Sequence, residues 1–224
     1  MRIDLHCHTR YSRDSLTTCD GLLRWMDRRG LDMVAITDHN TIAGALDFRR
    51  RAPDRFLVGE EIRTSDGELI GLFLEEEIPP GLSPCETIAR IHQQGGLVGA
   101  PHPVDRLRGT AAGRSVLESI QERLDFLEVF NARTLASQDN TLARELAMRW
   151  RLPGSAGSDA HAPFEVGQAY VEMPPFDLSL DRLNGRAQSF LRSLAQGRVV
   201  GRLSSPLIHL FSNYAKLRHR LGAR

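Results

Sequence analysis

The sequence predicts an α/β fold on a parallel sheet, closed as a barrel or left open. Three observations carry this. Short apolar runs alternate with stretches of helical spacing. One helix is punctuated at both ends: Ser83-Pro84-Cys85-Glu86 reads as N-cap, first-turn proline and capping-box glutamate, and Gly95-Gly96 stops it before the next apolar run. Motifs rich in histidine and acid directly follow the apolar runs, as they do where strand ends of a parallel sheet build a site.

In chain order, strands are expected at Arg2–Leu5, Met33–Ile36, Phe56–Val58, Leu69–Leu74, Leu97–Ala100, Phe126–Phe130 and Gly154–Ala156. Helical stripes lie between several of them: Leu22, Leu23 and Met26, then Ile88, Ile91 and His92, then Leu142, Leu146 and Trp150. Pro79-Pro80 and Pro174-Pro175 read as loops, Leu183–Leu194 as a helix, and the basic tail from Ser212 as helical.

With 224 residues, 41% hydrophobic, the chain can bury one large core. Its 25% charged residues are ordinary for a globular chain, and a net charge of +1 gives no global field selecting nucleic acid or membrane. Of 29 basic residues only Lys216 is a lysine, so a lone arginine carries little functional weight. Cys7, Cys19 and Cys85 make no disulfide framework. The start, MRIDLHCHTR, has no signal-peptide h-region, and no apolar run is long enough to span a membrane, so a cytoplasmic location is expected.

Five of the eight histidines sit in the motifs: His6 and His8 in DLHCHT, His39 in TDHN, His102 in APHP and His161 in GSDAH. Singly, each has a bland reading, as a capped strand end or a hydrogen-bonded loop histidine. His6 and His8 share one side of a strand, and so do Asp159 and His161, whereas Cys7 alternates away and reads as core. The carboxylates Asp14, Glu60, Glu61 and Glu68 follow the same rule. Buried imidazoles and charges in such number need partners or metal, and mixed nitrogen and oxygen donors suit Zn, Mn or Fe.

In order and spacing, DLHCHT, ITDHN, GEEIRT, APHP and GSDAH resemble the motifs of the PHP (polymerase and histidinol phosphatase) superfamily over roughly residues 1–170. The resemblance implies a distorted (β/α)7 barrel, here residues 1–175, with a C-terminal helical extension, 176–224, packed on the same domain. It implies two or three divalent metal ions and hydrolysis of phosphate esters. His6, His8, Glu61 and Asp159 would hold one metal. Glu61 would bridge to a second, which His102 also binds. Asp14, His39 and His161 would hold the third. Glu61 rather than Glu60 matches the family's Glu-Ile pair. Two positions depart from the pattern: Glu68 stands where a histidine is frequent, and Asp14 comes one residue late, with Arg13 in the usual place.

The expected activity is that of a phosphatase or phosphodiesterase on a small phosphorylated substrate, such as a nucleotide or sugar phosphate, using a metal-activated water with His39, Asp159 and His161 as catalytic residues. Arg106 and Arg133 each follow a strand end and are the candidate phosphate contacts, ahead of Arg108. Asp38 would orient His39 or act behind a ligand. His92 reads as core or surface, His209 and His219 as outside the site, and Lys216–Arg224 as a solvated helix end. No GxSxG elbow or P-loop is present. Two alternatives stand beside this reading: a nuclease trimming RNA or DNA ends, disfavoured by near-neutral charge and few aromatics, and an inactive metal-binding regulatory module.

Overall fold

Strand and helix alternate as expected from Arg2 to Gly157 in a computed structural model of the chain, which describes residues 1–179 and 183–222. The elements are β1 (Arg2–Cys7), α1 (Cys19–Arg29), β2 (Met33–Ile36), α2 (Ala43–Arg51), β3 (Phe56–Thr64), β4 (Gly67–Leu72), α3 (Pro84–Gln93), β5 (Leu97–Ala100), α4 (Gly113–Ile120), β6 (Phe126–Asn131), α5 (Ser137–Trp150), β7 (Gly154–Gly157), β8 (Ala169–Glu172), α6 (Leu183–Leu194), β9 (Arg198–Gly201) and α7 (Ile208–Gly222). The capping box is present: Ser83 accepts the Glu86 N–H, and Glu86 accepts the Ser83 N–H.

The sheet order is β7-β6-β5-β4-β3-β2-β1-β8-β9. It bends into a nearly closed barrel, because the segment after β7 returns to the end of β1. There Asp159 N–H donates to the His6 carbonyl at 2.8 Å, and His8 N–H donates to the Ala160 carbonyl at 2.9 Å. The lower half of β1 pairs instead with β8.

An all-parallel sheet is not what forms. β4 runs antiparallel to both β3 and β5, and β8 is antiparallel to β1 and β9. The cause is local: Thr64 and Gly67 pair across a two-residue turn at Ser65-Asp66, so β3 folds straight back. The reversal puts the start of β4, with Glu68, at the end of the barrel where the parallel strands finish. The stretch after 175 is not purely helical either, since Arg198–Gly201 adds β9. Ala223 and Arg224 of the basic tail lie outside the described residues.

Side-chain alternation divides the strands between two cores. Val34, Ile36, Phe56, Val58, Val98 and Leu127 pack outward under helices α1 to α5. Leu5, Met33, Leu57, Ile70, Leu97 and Phe126 form the inner cluster, which Phe190 and Leu194 of α6 join. The barrel is therefore filled at the end opposite the motifs. A Cβ on Gly99 would sit 2.0 Å from the Phe126 ring, so only glycine lets that ring fill the interior.

Candidate metal centre

The register of β1 against β2 slips between Asp4 and Cys7. Such an irregularity resets the inward phase, so His6 and His8 enter the barrel mouth although Leu5 already points inward. Cys7 is fully buried in the outer core, as its alternation suggests. Two other motif residues, His102 (φ 30°) and Asp159 (φ 53°), have left-handed backbones, a conformation costly for a side-chain-bearing residue. Gly157 supplies clearance, since a Cβ there would lie 2.2 Å from the His6 Cβ.

The motif residues meet. His6 Nε2 lies 3.1 Å from His8 Nε2, and His8 Nε2 lies 3.2 Å from Asp159 Oδ1 and 3.4 Å from Glu61 Oε2. His102 Nε2 is 3.0 Å from Glu61 Oε1 and 3.9 Å from Glu68 Oε2. His39 faces Glu61 at 3.0 Å and Asp14 at 3.6 Å, and His161 Nε2 faces Asp14 at 3.5 Å. Asp14 thus reaches the cluster despite its late position, and Glu68 is buried facing it rather than solvent. Among the described residues, potential donor atoms converge within 4.8 Å in four groups: His8, His39 and His161; His6, His8 and Glu61; His6, His102 and Asp159; and His39, Glu61 and Glu68.

Hydrogen bonds fix which ring nitrogen faces inward. Ser12 has one hydroxyl proton, which goes to Asp38 at 2.7 Å, so Ser12 accepts from His8 Nδ1 (3.3 Å) and leaves the His8 Nε2 lone pair toward the cluster. His161 Nδ1 donates to the Asp159 carbonyl at 2.8 Å, with the same consequence. His6 Nδ1 donates to Glu128 at 3.1 Å. Asp38 therefore supports His8 through Ser12 and does not orient the His39 ring. Glu128, a buried acid within the apolar run of β6, also holds the His102 N–H. It escaped the motif reading, although a glutamate sharing the face of Phe126 was the available signal.

Glu60 and Glu61 separate clearly. Glu60 turns away to accept the Ile78 N–H, and burial, aided by the charge of Glu77, pushes its carboxyl up to about 8. At Glu61 burial is outweighed by His6 and His39, which hold the carboxyl well below its usual range. Asp159 is likewise held low against burial, by Arg108 and His6. Burial opposes charge on His6 too, but Glu61, Glu128 and Asp159 raise its pKa well above the ordinary value. Burial and the neighbouring His161 and His39 drop His8 to about 3.

The residues fit a cation. Among the described residues, buried Asp14 Oδ1, Glu61 Oε2, Asp159 Oδ1 and His102 Nδ1 meet no hydrogen-bond partner in suitable geometry. A proton shared between His6 Nε2 and His8 Nε2, 3.1 Å apart, would have to leave for both nitrogens to bind a metal. Uptake of Zn²⁺ or Mn²⁺ should therefore release protons in weak buffer, and affinity should weaken as pH falls because His6 and His39 both have raised pKa values. Titration of the metal-free chain at several pH values checks this. Uptake without proton release would contradict it.

The arginines sort differently from expectation. Arg106 swings out to Asp139 of α5 (Nε to Oδ1 3.0 Å) and is two-thirds exposed, away from the cluster. Two residues on, Arg108 turns in to Asp159 at 2.6 Å. Arg133 is buried beside the site, 2.8 Å from Ser212 and 3.6 Å from Glu165. His92 lies on the exposed rim of α3, bonded to Asp125. A cavity of about 430 Å³ opens over the cluster, with Asp14, His39, Glu68, Asp159 and His161 in its floor and Arg108 and Arg133 in its walls.

Comparison with known proteins places these features. Residues 4–68 match the PHP domain, and residues 137–199 match the domain described as PHP-associated. Uncharacterized protein MJ1587 of Methanocaldococcus jannaschii is 42% identical over 145 residues, 59% of this chain and 82% of that protein. MJ0417 of the same organism is 36% identical over 80% of this chain and 73% of that protein. Among solved structures, PsfC from Pseudomonas syringae superposes with a TM-score of 0.68 at 18% identity, covering 97% of this chain and 98% of that one. A "putative metal-dependent phosphoesterase" from Bifidobacterium adolescentis gives 0.60 at 19% identity over 74% and 91%. An amidohydrolase from Chromobacterium violaceum, with bound sulfate and no metal, gives 0.61 at 19% identity over 88% and 98%. With the histidine and acid motifs brought together at one barrel mouth, and relatives matched along most of their own length, this chain belongs to the PHP family.

Proposed function

We propose that the chain is a metal-dependent phosphoesterase acting on a small phosphorylated substrate such as a nucleotide or sugar phosphate. The observation that carries this is the convergence of His6, His8, Asp14, His39, Glu61, Glu68, His102, Asp159 and His161 with buried, unpartnered donor atoms among them. His6, His8, Glu61 and Asp159 would hold one ion, Glu61 and His102 with Glu68 a second, and Asp14, His39 and His161 a third; Zn, Mn and Fe suit these donors. Bound divalent ions acidify water and offset charge on phosphoryl oxygens.

The names of two proteins of like fold agree on hydrolysis and differ on the bond, ester of phosphate or amide. The cavity walls favour phosphate: Arg108 and Arg133 offer guanidinium donors suited to tetrahedral oxyanions. His39 is the most exposed of the five histidines, its side chain 31% accessible at the cavity, and its catalytic part is assigned through the ion it would hold with Asp14 and His161. His161 and Asp159 are assigned to hold the reacting groups, with Asp159 also anchoring Arg108. We take residues 1–175 as the catalytic barrel and 176–224 as an extension packed on the same domain; Phe190 in the inner core supports that packing.

The test is turnover of a panel of aryl phosphates, mononucleotides, cyclic nucleotides and short oligonucleotides by the chain loaded with Mn²⁺ or Zn²⁺. Hydrolysis of the small esters is expected. Arg133→Ala should cost on the order of a hundredfold in kcat/KM, and Arg106→Ala less than about twofold. Equal effects of the two variants would contradict the placement, and no hydrolysis across the panel would overturn the assignment.

A further inference from the structure

We infer that α7 supplies an anion subsite to this cavity: His209 and Lys216, with Arg133, receive an oxyanion of phosphate type beside the metal centre. The inference rests on the phosphoesterase reading only for the identity of the natural ligand.

His209, Ser212 and Lys216 fall on one stripe of α7 and line the same cavity as His39 and Asp159. The opposite face carries exposed Leu210, Tyr214 and Leu217, so the polar stripe is the one turned to the site. The helix is held in place at both ends. Ser204 N–H, just before it, donates to the Ala132 carbonyl at 2.7 Å, Phe211 packs edge-on against Phe164, and His219 Nε2 lies 3.0 Å from the Ser15 carbonyl. His219 is thus an anchor, and Lys216, the first residue of the basic tail, lines the cavity, whereas Arg218, Arg220 and Leu221 are exposed, as in a solvated helix end.

The chemistry of the stripe points to an anion. Arg133 has only donors, so its contact with His209 Nδ1 (3.4 Å) makes that nitrogen the acceptor and places the ring proton on Nε2. Among the described residues His209 Nε2 is buried and has no partner, which leaves an N–H donor unsatisfied at the cavity wall. Burial, then the charges of Arg133 and Arg108, lower the His209 pKa, consistent with a neutral ring. Lys216 is the only lysine among 29 basic residues. Its ammonium, on a half-exposed side chain, stands 3.6 Å from Asp14 Oδ2, within ion-pair range yet free to turn to a ligand. Three donor groups of this kind, with no acceptor among them, match phosphoryl or similar oxygens.

The single lysine makes the test direct. In the metal-loaded chain, inorganic phosphate should slow amine-selective acylation of Lys216, read by peptide mass mapping, by about tenfold, while the Met1 amine, bonded to the Met173 carbonyl, is unaffected. With an aryl phosphate ester, Lys216→Ala and His209→Ala should each raise KM and the phosphate inhibition constant about tenfold with kcat changed less than about threefold. Lys216→Arg and His209→Gln, which keep a donor, should restore most of the loss. A merely structural role would leave the inhibition constant unmoved and would show instead as a lower melting temperature. Unchanged Lys216 acylation with phosphate, or parental KM and inhibition constants in both folded alanine variants, overturns the subsite. Failure of every ester to turn over would remove the phosphoesterase reading, and the acylation experiment would still decide the subsite.

Discussion

His8→Ala is expected to lower turnover of an aryl phosphate ester by on the order of a thousandfold while the chain still folds. His8 Nε2 faces His6, Asp159 and Glu61 within 3.4 Å, at the centre of the donor set. Its Nδ1 is committed to Ser12, which Asp38 in turn anchors, so the ring presents one fixed lone pair. The fold should survive because burial keeps this imidazole neutral in the metal-free chain, with its pKa near 3. Truncation then removes a donor without stranding a charge, unlike Asp159→Ala, which would leave Arg108 without its 2.6 Å partner. The stability cost of His8→Ala should be about 1–2 kcal/mol, the ordinary range for a buried truncation. Steady-state kinetics and thermal melting check both parts. Parental activity in this variant would show that the chemistry lies elsewhere.

Removing divalent ions with a chelator should abolish turnover, with recovery on adding back Mn²⁺ or Zn²⁺. It should also lower the melting temperature by about 10 °C, since an ion present at a thousand times its dissociation constant adds about 4 kcal/mol and each kcal/mol moves a chain of this size by about 2–4 °C. The physical reason is the buried carboxylates. Glu61 and Asp159 are kept ionised against burial by imidazolium and guanidinium partners, and a divalent cation serves them better than protons do. Persistence of activity after chelation, with no ion detected, would argue for chemistry carried by side chains alone.

Much of the site was legible because its residues obey strand logic. His6 and His8 are two apart at a strand end, and such a pair shares a side. Asp159 and His161 read by the same rule, although they lie beyond β7 and Asp159 has a left-handed backbone. What the sequence could not show was direction and phase. β4 reads like any short apolar strand, and only the tight turn at Ser65-Asp66 reverses it, carrying Glu68 to the site end. The slip in β1 that turns His6 inward is a pairing irregularity without a residue signature. β8 and β9 are only half-buried, so they lack the continuous apolar run that marks equally short strands such as β2 and β5. Arg106 and Arg108 were ranked by nearness to a strand end, but acids from outside the loop after His102 decide: Asp139 of α5 draws one out and Asp159, after β7, draws the other in. Ser12 and the α7 stripe act across 26 to 204 residues of chain, as in Ser12 to Asp38 and Ser15 to His219, and local pattern carries no trace of such partners.

The most direct measurement is the divalent-ion content of the chain purified without chelator and after loading with Mn²⁺ or Zn²⁺, by elemental mass spectrometry, with anomalous diffraction at the metal edge to locate the ions. The expected result is about two or more equivalents per chain, located among His6, His8, Glu61, His102 and Asp159, and reduced in His8→Ala. A chain that takes up no divalent ion under either condition, with those side chains ordered as described, would contradict the metal centre on which the proposed chemistry depends.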